Sequence, residues 1–398
     1  NRPVVQIDGQ AAGGVSAQST AFYDEADRAV RWRLAITREG EAAYDELIVA
    51  ARPFRINRTL APFCNPVMAG DEQLWLNNAP FLAARSAPDA FDSGETWAGL
   101  TYELPEGALT LDFDLAGAAG SELPPAADFD RRLAETREAW ADRANQATIS
   151  VPDGSVQAAL DASLGYLLLA SDPDGPHPGP LAHNAIWTRD AAYMGLALLM
   201  RGHEDVVRNY VTAVFSGQEA DGRIPPIQGE AAPWENNEWD AQGQAIFLAM
   251  QLYRFTGDQE YLQAIYPKMS LAADYILKLR GQTRADDDAT RGLLPISLSA
   301  EDLADGEQHY YWDNFWAISG FQQAAAAADV LGEDDGARWR SEALALRTAV
   351  SRSLAEVMGN SPDYIPVSVE TLDNSGMARG TTPVLHPFPI VPIDDPLI

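Results

Sequence analysis

Three times in this chain a tryptophan and a carboxylate stand together where an apolar helical run begins, and any fold must accommodate all three. The segments are Trp187-Thr188-Arg189-Asp190-Ala191-Ala192-Tyr193, Glu238-Trp239-Asp240-Ala241-Gln242-Gly243-Gln244 and Tyr311-Trp312-Asp313-Asn314-Phe315-Trp316. They lead into Met194 to Met200, Ala245 to Leu252 and Ala317 to Phe321. Between consecutive segments there is room for one more helix plus loops. The pattern predicts helix pairs whose alternate helices start at one common rim. A rim of indole faces and carboxylates suits a sugar. Aromatic planes cover C–H faces, while carboxylates accept hydroxyl protons and carry acid–base chemistry.

The 398 residues suffice for two domains with separate cores, and no run is long enough to span a bilayer. Lys and Arg total 28 against 58 Asp and Glu, a formal charge of −30. Such a field disfavours nucleic acid, anionic membranes and polyanionic substrates. Cys64 is the single cysteine, so no intrachain disulfide forms and the compartment stays open. The five histidines (His177, His183, His203, His309, His386) lack metal-ligand spacing, and no phosphate loop or dinucleotide fingerprint occurs. Neither a metal nor an organic cofactor is expected. The chain opens at Asn1 without a methionine or a signal-like segment, so its numbering is expected to begin inside a longer polypeptide or after processing.

Residues 1–125 read as a β-sandwich domain. Val30, Trp32, Leu34 and Ile36 alternate with polar residues as on a half-buried strand, and 47–50, 74–76, 96–102 and 109–115 read as further strands. Residues 126–150 form a linker, with a charged helix over 129–143 that carries Leu133 and Trp140 on one side. From 151 to 398 the period is helical. Helices are expected near 155–170, 187–201, 203–217, 239–256, 258–280, 312–331 and 335–357, with Asn184 and Asn237 as caps and Gly202, Gly257 and Gly332 as stops. Tight turns within the pairs force antiparallel neighbours. The long connections, 218–238 and 281–311, then lie together at the other end, over the Trp-acid motifs.

These residues resemble the six-hairpin glycosidases, above all the glucoamylase family and related disaccharide phosphorylases. Trp187-Thr188-Arg189-Asp190 matches a glucoamylase segment, and Asp221-Gly222-Arg223-Ile224-Pro225 is similar to the following loop of bacterial members. Trp239-Asp240 is similar to a substrate-lining position, and Trp312-Asp313-Asn314 resembles the Trp-Glu-Glu that holds the general acid. The resemblance implies an N-terminal antiparallel β-sandwich followed by an (α/α)6 toroid. About seven of its twelve helices are legible here, and the text turns Pro-rich after about residue 357. The resemblance puts the general base before the last helix, so that base is expected outside this chain, which would be an incomplete member. It also implies that Arg189 and Asp190 hold sugar hydroxyls.

Three carboxylates compete for the general acid. Asp313 stands among aromatic rings that would desolvate it and keep its proton near neutral pH. Glu307, in Glu307-Gln308-His309, resembles the acid of the phosphorylase pattern Glu-Tyr-His. Glu301 is the third. Expected substrate contacts are Trp187, Arg189, Asp190, Trp234, Trp239, Asp240, His309 and Trp312. Each also has a plain structural reading: a helix cap, an ion pair or a core aromatic. The implied activity is glycosidase cleavage of a neutral glycan, inverting and α-glucoside-like. Phosphorolysis, lyase chemistry and glycan binding without catalysis are the rivals. A carbohydrate is the one partner expected; the oligomeric state is open.

Overall fold

The computed structural model describes residues 4–11, 14–40, 45–51, 67–70, 72–76, 79–94, 97–116, 122–144, 146–179, 183–229, 237–300, 303–359, 364–372, 380 and 382–387. Two of the expected site residues, Trp234 and Glu301, lie outside them. The chain divides into two compact units, 1–165 and 166–398.

Unit one is built from ten strands and a helix among the described residues: β1 (Val4–Ala11), β2 (Val15–Asp24), β3 (Ala29–Arg38), β4 (Glu46–Ala51), β5 (Val67–Gly70), β6 (Gln73–Leu76), β7 (Ala79–Ala84), β8 (Ala90–Gly94), β9 (Trp97–Glu103), β10 (Gly107–Ala116) and α1 (Phe129–Ala144). They form an antiparallel seven-stranded sheet, β1-β2-β3-β10-β7-β6-β5, and a three-stranded one, β4-β9-β8. Val49, Leu100 and Tyr102 of the small sheet close on Leu74, Leu82, Leu111 and Phe113 of the large one. This is the sandwich that the alternation predicts. β1, β2, β5, β7 and β8 escape a sequence reading: β1 leaves Val5 and Ile7 exposed, and β2 is largely small and polar.

The polar face of β3 is not solvated where the alternation suggests it. Arg31 is buried, paired with Asp24 at 3.1 Å and Asp114 at 2.7 Å, and it donates to the Pro125 carbonyl at 3.0 Å. Arg132 of α1 reaches the same acidic group through Asp27 at 2.9 Å, and Phe129 packs edge-on to Phe22. The linker helix is thus fastened to the sheet by buried charge that is fully paired, the condition under which buried ions are tolerated.

α2 (Gly154–Leu169) runs across the division. In unit two follow β11 (Ser171–Asp172), β12 (Gly175–Pro176), β13 (Ile186–Trp187), α3 (Thr188–Leu199), α4 (Glu204–Ser216), β14 (Ile227–Gln228), α5 (Ala241–Thr256), α6 (Gln259–Arg280), α7 (Tyr311–Leu331) and α8 (Gly336–Met358). The pairs α3/α4, α5/α6 and α7/α8 are the predicted antiparallel hairpins. α3, α5 and α7 lie side by side as an inner layer, and α4, α6 and α8 bury one face each against it. α5 and α7 are buried on nearly every side, as inner helices must be. The two approach closely at Gly243, where an added Cβ would lie 2.1 Å from the Trp316 carbonyl oxygen.

Helix ends follow the sequence signals in part. Gly257 (φ 66°) and Gly332 (φ 73°) terminate α5 and α7 in the left-handed conformation. Asn184 and Asn237 are not the caps. Trp187 and Asp240 occupy the N-cap positions of α3 and α5, and Asn184 instead meets His177. The physical reason is that carbonyls and side chains of the long connections serve these helix starts.

Candidate active site

Strand pairing and proline carbonyls fix the start of α3. Trp187 pairs with Ile227 across β13 and β14. The Thr188 amide donates to the Pro226 carbonyl, and its hydroxyl donates to the Pro225 carbonyl, both at 2.9 Å. One turn of the first long connection is thereby pinned over the helix, with Gln242 of α5 donating to the Ile224 carbonyl at 2.9 Å. The second long connection is pinned by Trp239 donating to Ile296, Leu294 donating to Asn314 Oδ1, and Leu298 donating to Asn237. The described parts of both long connections therefore lie over the N-termini of α3, α5 and α7.

Beneath them the three Trp-acid segments meet. Arg189 is buried between two carboxylates: its Nε donates to Asp240 Oδ2 at 3.0 Å, and Nη2 pairs with Glu238. Asp240 Oδ2 also accepts from Gln244 Nε2 and from Trp312 Nε1, each at 2.7 Å. One oxygen atom thus joins all three inner helices. Asp313, 1% exposed, lies in the same field, its Oδ2 accepting from the Ser297 hydroxyl at 2.5 Å. Its Oδ1 has no hydrogen-bond partner among the described residues, and neither has Asp240 Oδ1.

The charge balance follows from this geometry. One guanidinium serves Glu238 and Asp240, leaving none for Asp313. Burial first, then the neighbouring Asp240, push the Asp313 pKa well above the usual carboxylate range; the Ser297 hydrogen bond and Arg189 act the other way and are outweighed. A carboxyl whose pKa is raised in this manner is suited to give up a proton to a leaving group.

The other expected residues divide between the buried cluster and the rim. Trp239 is buried against Tyr275, and its indole N–H is spent on Ile296. Trp312 is buried and bound to Asp240. Trp187 and Asp190 are half-buried, and the Trp187 ring lies 5.1 Å from that of His183. Glu307 is exposed. His309 stands at the rim with Glu370, whose segment bridges to α7 through Ser368 and Tyr310. Sequence reasoning overlooked four participants: Glu238, Gln244, Ser297 and Glu370. Glu238 and Gln244 stand in the quoted second motif. Ser297 and Glu370 come from connections, and no local pattern marks them.

Among the described residues, one group could hold a cation. Asp172, Asp174 and His177 offer ligand atoms within 4.8 Å of one another on the β11–β12 turn. Both aspartates are exposed, and none of the three touches the buried cluster. No helix among the described residues is long and apolar enough to cross a membrane.

Residues 180–376 match the family model described as the bacterial alpha-L-rhamnosidase six-hairpin glycosidase domain. No curated protein matches the chain. Among solved structures, a bacterial glucoamylase in complex with acarbose superposes with a TM-score of 0.62 at 12% identity, covering 91% of this chain. A protein described as a kojibiose phosphorylase from the human microbiome superposes with a TM-score of 0.52 at 10% identity, covering 87%. The chain spans 60% of the first of these structures and 54% of the second.

Proposed function

From a helical unit that belongs to the six-hairpin glycosidase superfamily, we infer that this chain acts on the glycosidic bond of a neutral oligo- or polysaccharide. Hydrolysis with inversion of an α-glucoside-like substrate is the reading that the site supports best. The observation that carries it is Asp313: buried, its pKa pushed up by that burial and by Asp240, and its Oδ1 without a hydrogen-bond partner among the described residues, beside a cluster that ties three helix N-termini together. In this reading Asp313 gives its proton to the glycosidic oxygen as the C1–O bond breaks, and water adds to C1 from the opposite face while its proton passes to a carboxylate base, which the resemblance to glucoamylases places outside this chain. Glu238 and Asp240 hold Arg189 in place. Arg189 and Asp190 bind hydroxyls of the terminal sugar, and Trp187 supports its C–H face.

Phosphorolysis is the second reading. It is favoured by the rim placement of Glu307 and His309, an acid and an imidazole that could serve a phosphate in place of water. A panel of neutral glycosides, including α-glucosides and α-L-rhamnosides, followed by proton NMR with and without phosphate, decides between them. Inverting hydrolysis releases the β-anomer of glucose from an α-glucoside first and needs no phosphate. Asp313→Asn should then lose about 10²- to 10⁴-fold in kcat, the range for a general acid. A sugar phosphate formed only with phosphate establishes the second reading, and a retained anomer sinks inversion. Binding without turnover would leave a glycan-binding module.

A further inference from the structure

His309 is gripped at two points by one carboxylate. Its backbone N–H donates to Glu370 Oε2 at 2.9 Å, and its Nδ1 lies 2.6 Å from Glu370 Oε1. Both oxygens of Glu370 are therefore spent on a single residue 61 positions earlier in the chain. The segment carrying Glu370 is itself fixed to the rim. Tyr311 N donates to Val367 O and Val369 N donates to His309 O, both at 3.1 Å. Thr371 donates to Ser368 through its amide and to Gln308 Oε1 through its hydroxyl. This lattice surrounds His309 on both chain sides, immediately before the helix that bears Trp312 and Asp313.

A carboxylate only accepts hydrogen bonds, so the imidazole must place its proton on Nδ1. Nε2 then carries the lone pair, or a second proton when the ring is charged. No hydrogen-bond partner for Nε2 is recorded among the described residues, and the side chain is 15% exposed. Burial would raise the Glu370 carboxyl, but the hydrogen bonds from His309 prevail and hold it below the usual range. The two hydrogen bonds of the clamp thus favour the charged form of the carboxylate. Arranging a ring tautomer through a carboxylate is how proteins orient a histidine that acts through its other nitrogen.

We propose that Glu370 is a positioning residue: it fixes the tautomer and orientation of His309 so that Nε2 faces a substrate oxygen at the rim of the active site. The proposal rests on the carbohydrate reading above. The oxygen is a sugar hydroxyl in hydrolysis; if phosphate is required, it is a phosphate oxygen, with Nε2 protonated as the donor.

The test uses the full chain labelled with ¹⁵N-histidine; its five histidines give a resolvable spectrum, assigned by the His309→Ala variant. The parent should show His309 as the Nδ1–H tautomer. Glu370→Ala should move it toward the Nε2–H form, and Glu370→Gln, which keeps one acceptor oxygen, should restore it in part. On the substrate that the glycoside panel identifies, Glu370→Ala should lower kcat/KM about ten-fold, the worth of roughly one hydrogen bond to a charged group. Glu370→Gln should recover part of that. Glu370→Ala combined with His309→Ala should be no worse than His309→Ala alone. An unaltered His309 signal in Glu370→Ala overturns the clamp. A shifted tautomer with kcat/KM within two-fold overturns the role in substrate contact while leaving the glycosidase reading intact. If the parent neither binds nor cleaves any glycoside in the panel, the functional reading itself falls and this proposal with it.

Discussion

Arg189 sets the charge of the buried cluster. With Glu238 and Asp240 on it, and both nearly sealed from water, removing the cation takes away the positive charge that two buried carboxylates share. Arg189→Met is expected to cost about 3–5 kcal/mol in urea unfolding, the range for breaking a buried pair. Asp313 has the opposite sign. Its folded pKa is raised, so the protonated form is the one that folding favours. That contribution is fully present below the unfolded value of about 3.9 and is lost as pH rises through the folded value. Asn at this position has no proton to lose. The melting temperature of Asp313→Asn relative to the parent should therefore rise from pH 4 to pH 8. A difference that stays flat with pH would mean that Asp313 is ionised in the folded protein.

At the scale of elements, the closeness of α5 and α7 is what lets Trp312 reach Asp240. Gly243 permits it: its position is packed on the Trp316 carbonyl, which is backbone and cannot swing aside. Gly243→Ala must push the helices apart, and a loss of about 1–3 kcal/mol is expected, as for other overpacked cores. Activity should fall with it if the Asp240–Trp312 contact matters. The neighbouring glycine C-caps carry no such crowding: Gly257 and Gly332 have open space and a positive φ, so Ala there is disfavoured by conformation alone.

Across the whole molecule, 58 acidic residues against 28 basic ones give −30. Much of the cationic complement is already committed to specific pairs, among them Arg31 and Arg132 in the first unit and Arg189 and Arg280 in the second. The surplus is self-repelling negative charge on the surface. Raising NaCl from about 0.02 M to about 0.5 M shortens the screening length to a few ångströms and should raise the melting temperature. A fall would mean that specific surface pairs outweigh the net repulsion.

Periodicity alone located the helix pairs to within about two residues, because an inner helix is apolar on nearly every side and ends at a glycine that can adopt a positive φ. It also located the strands that alternate cleanly. β1 went unread because it is an edge strand exposed along nearly its whole length, and β2 beside it because it is mostly small and polar; no local pattern distinguishes either from loop. In the site, the Trp-acid segments were legible as residues bound for one rim. Their contacts were not: Arg189, Asp240, Gln244 and Trp312 come together at one oxygen from three helices. The raised pKa of Asp313 depends first on its burial and then on the neighbouring Asp240. Ser297 and Glu370 arrive from connections far along the chain. The sequence by itself determined which residue types meet and at which helix ends. Only the tertiary structure decided which atoms touch and which carboxyl has its pKa raised, because hydrogen bonding and burial are properties of assembled neighbours and not of any stretch of chain.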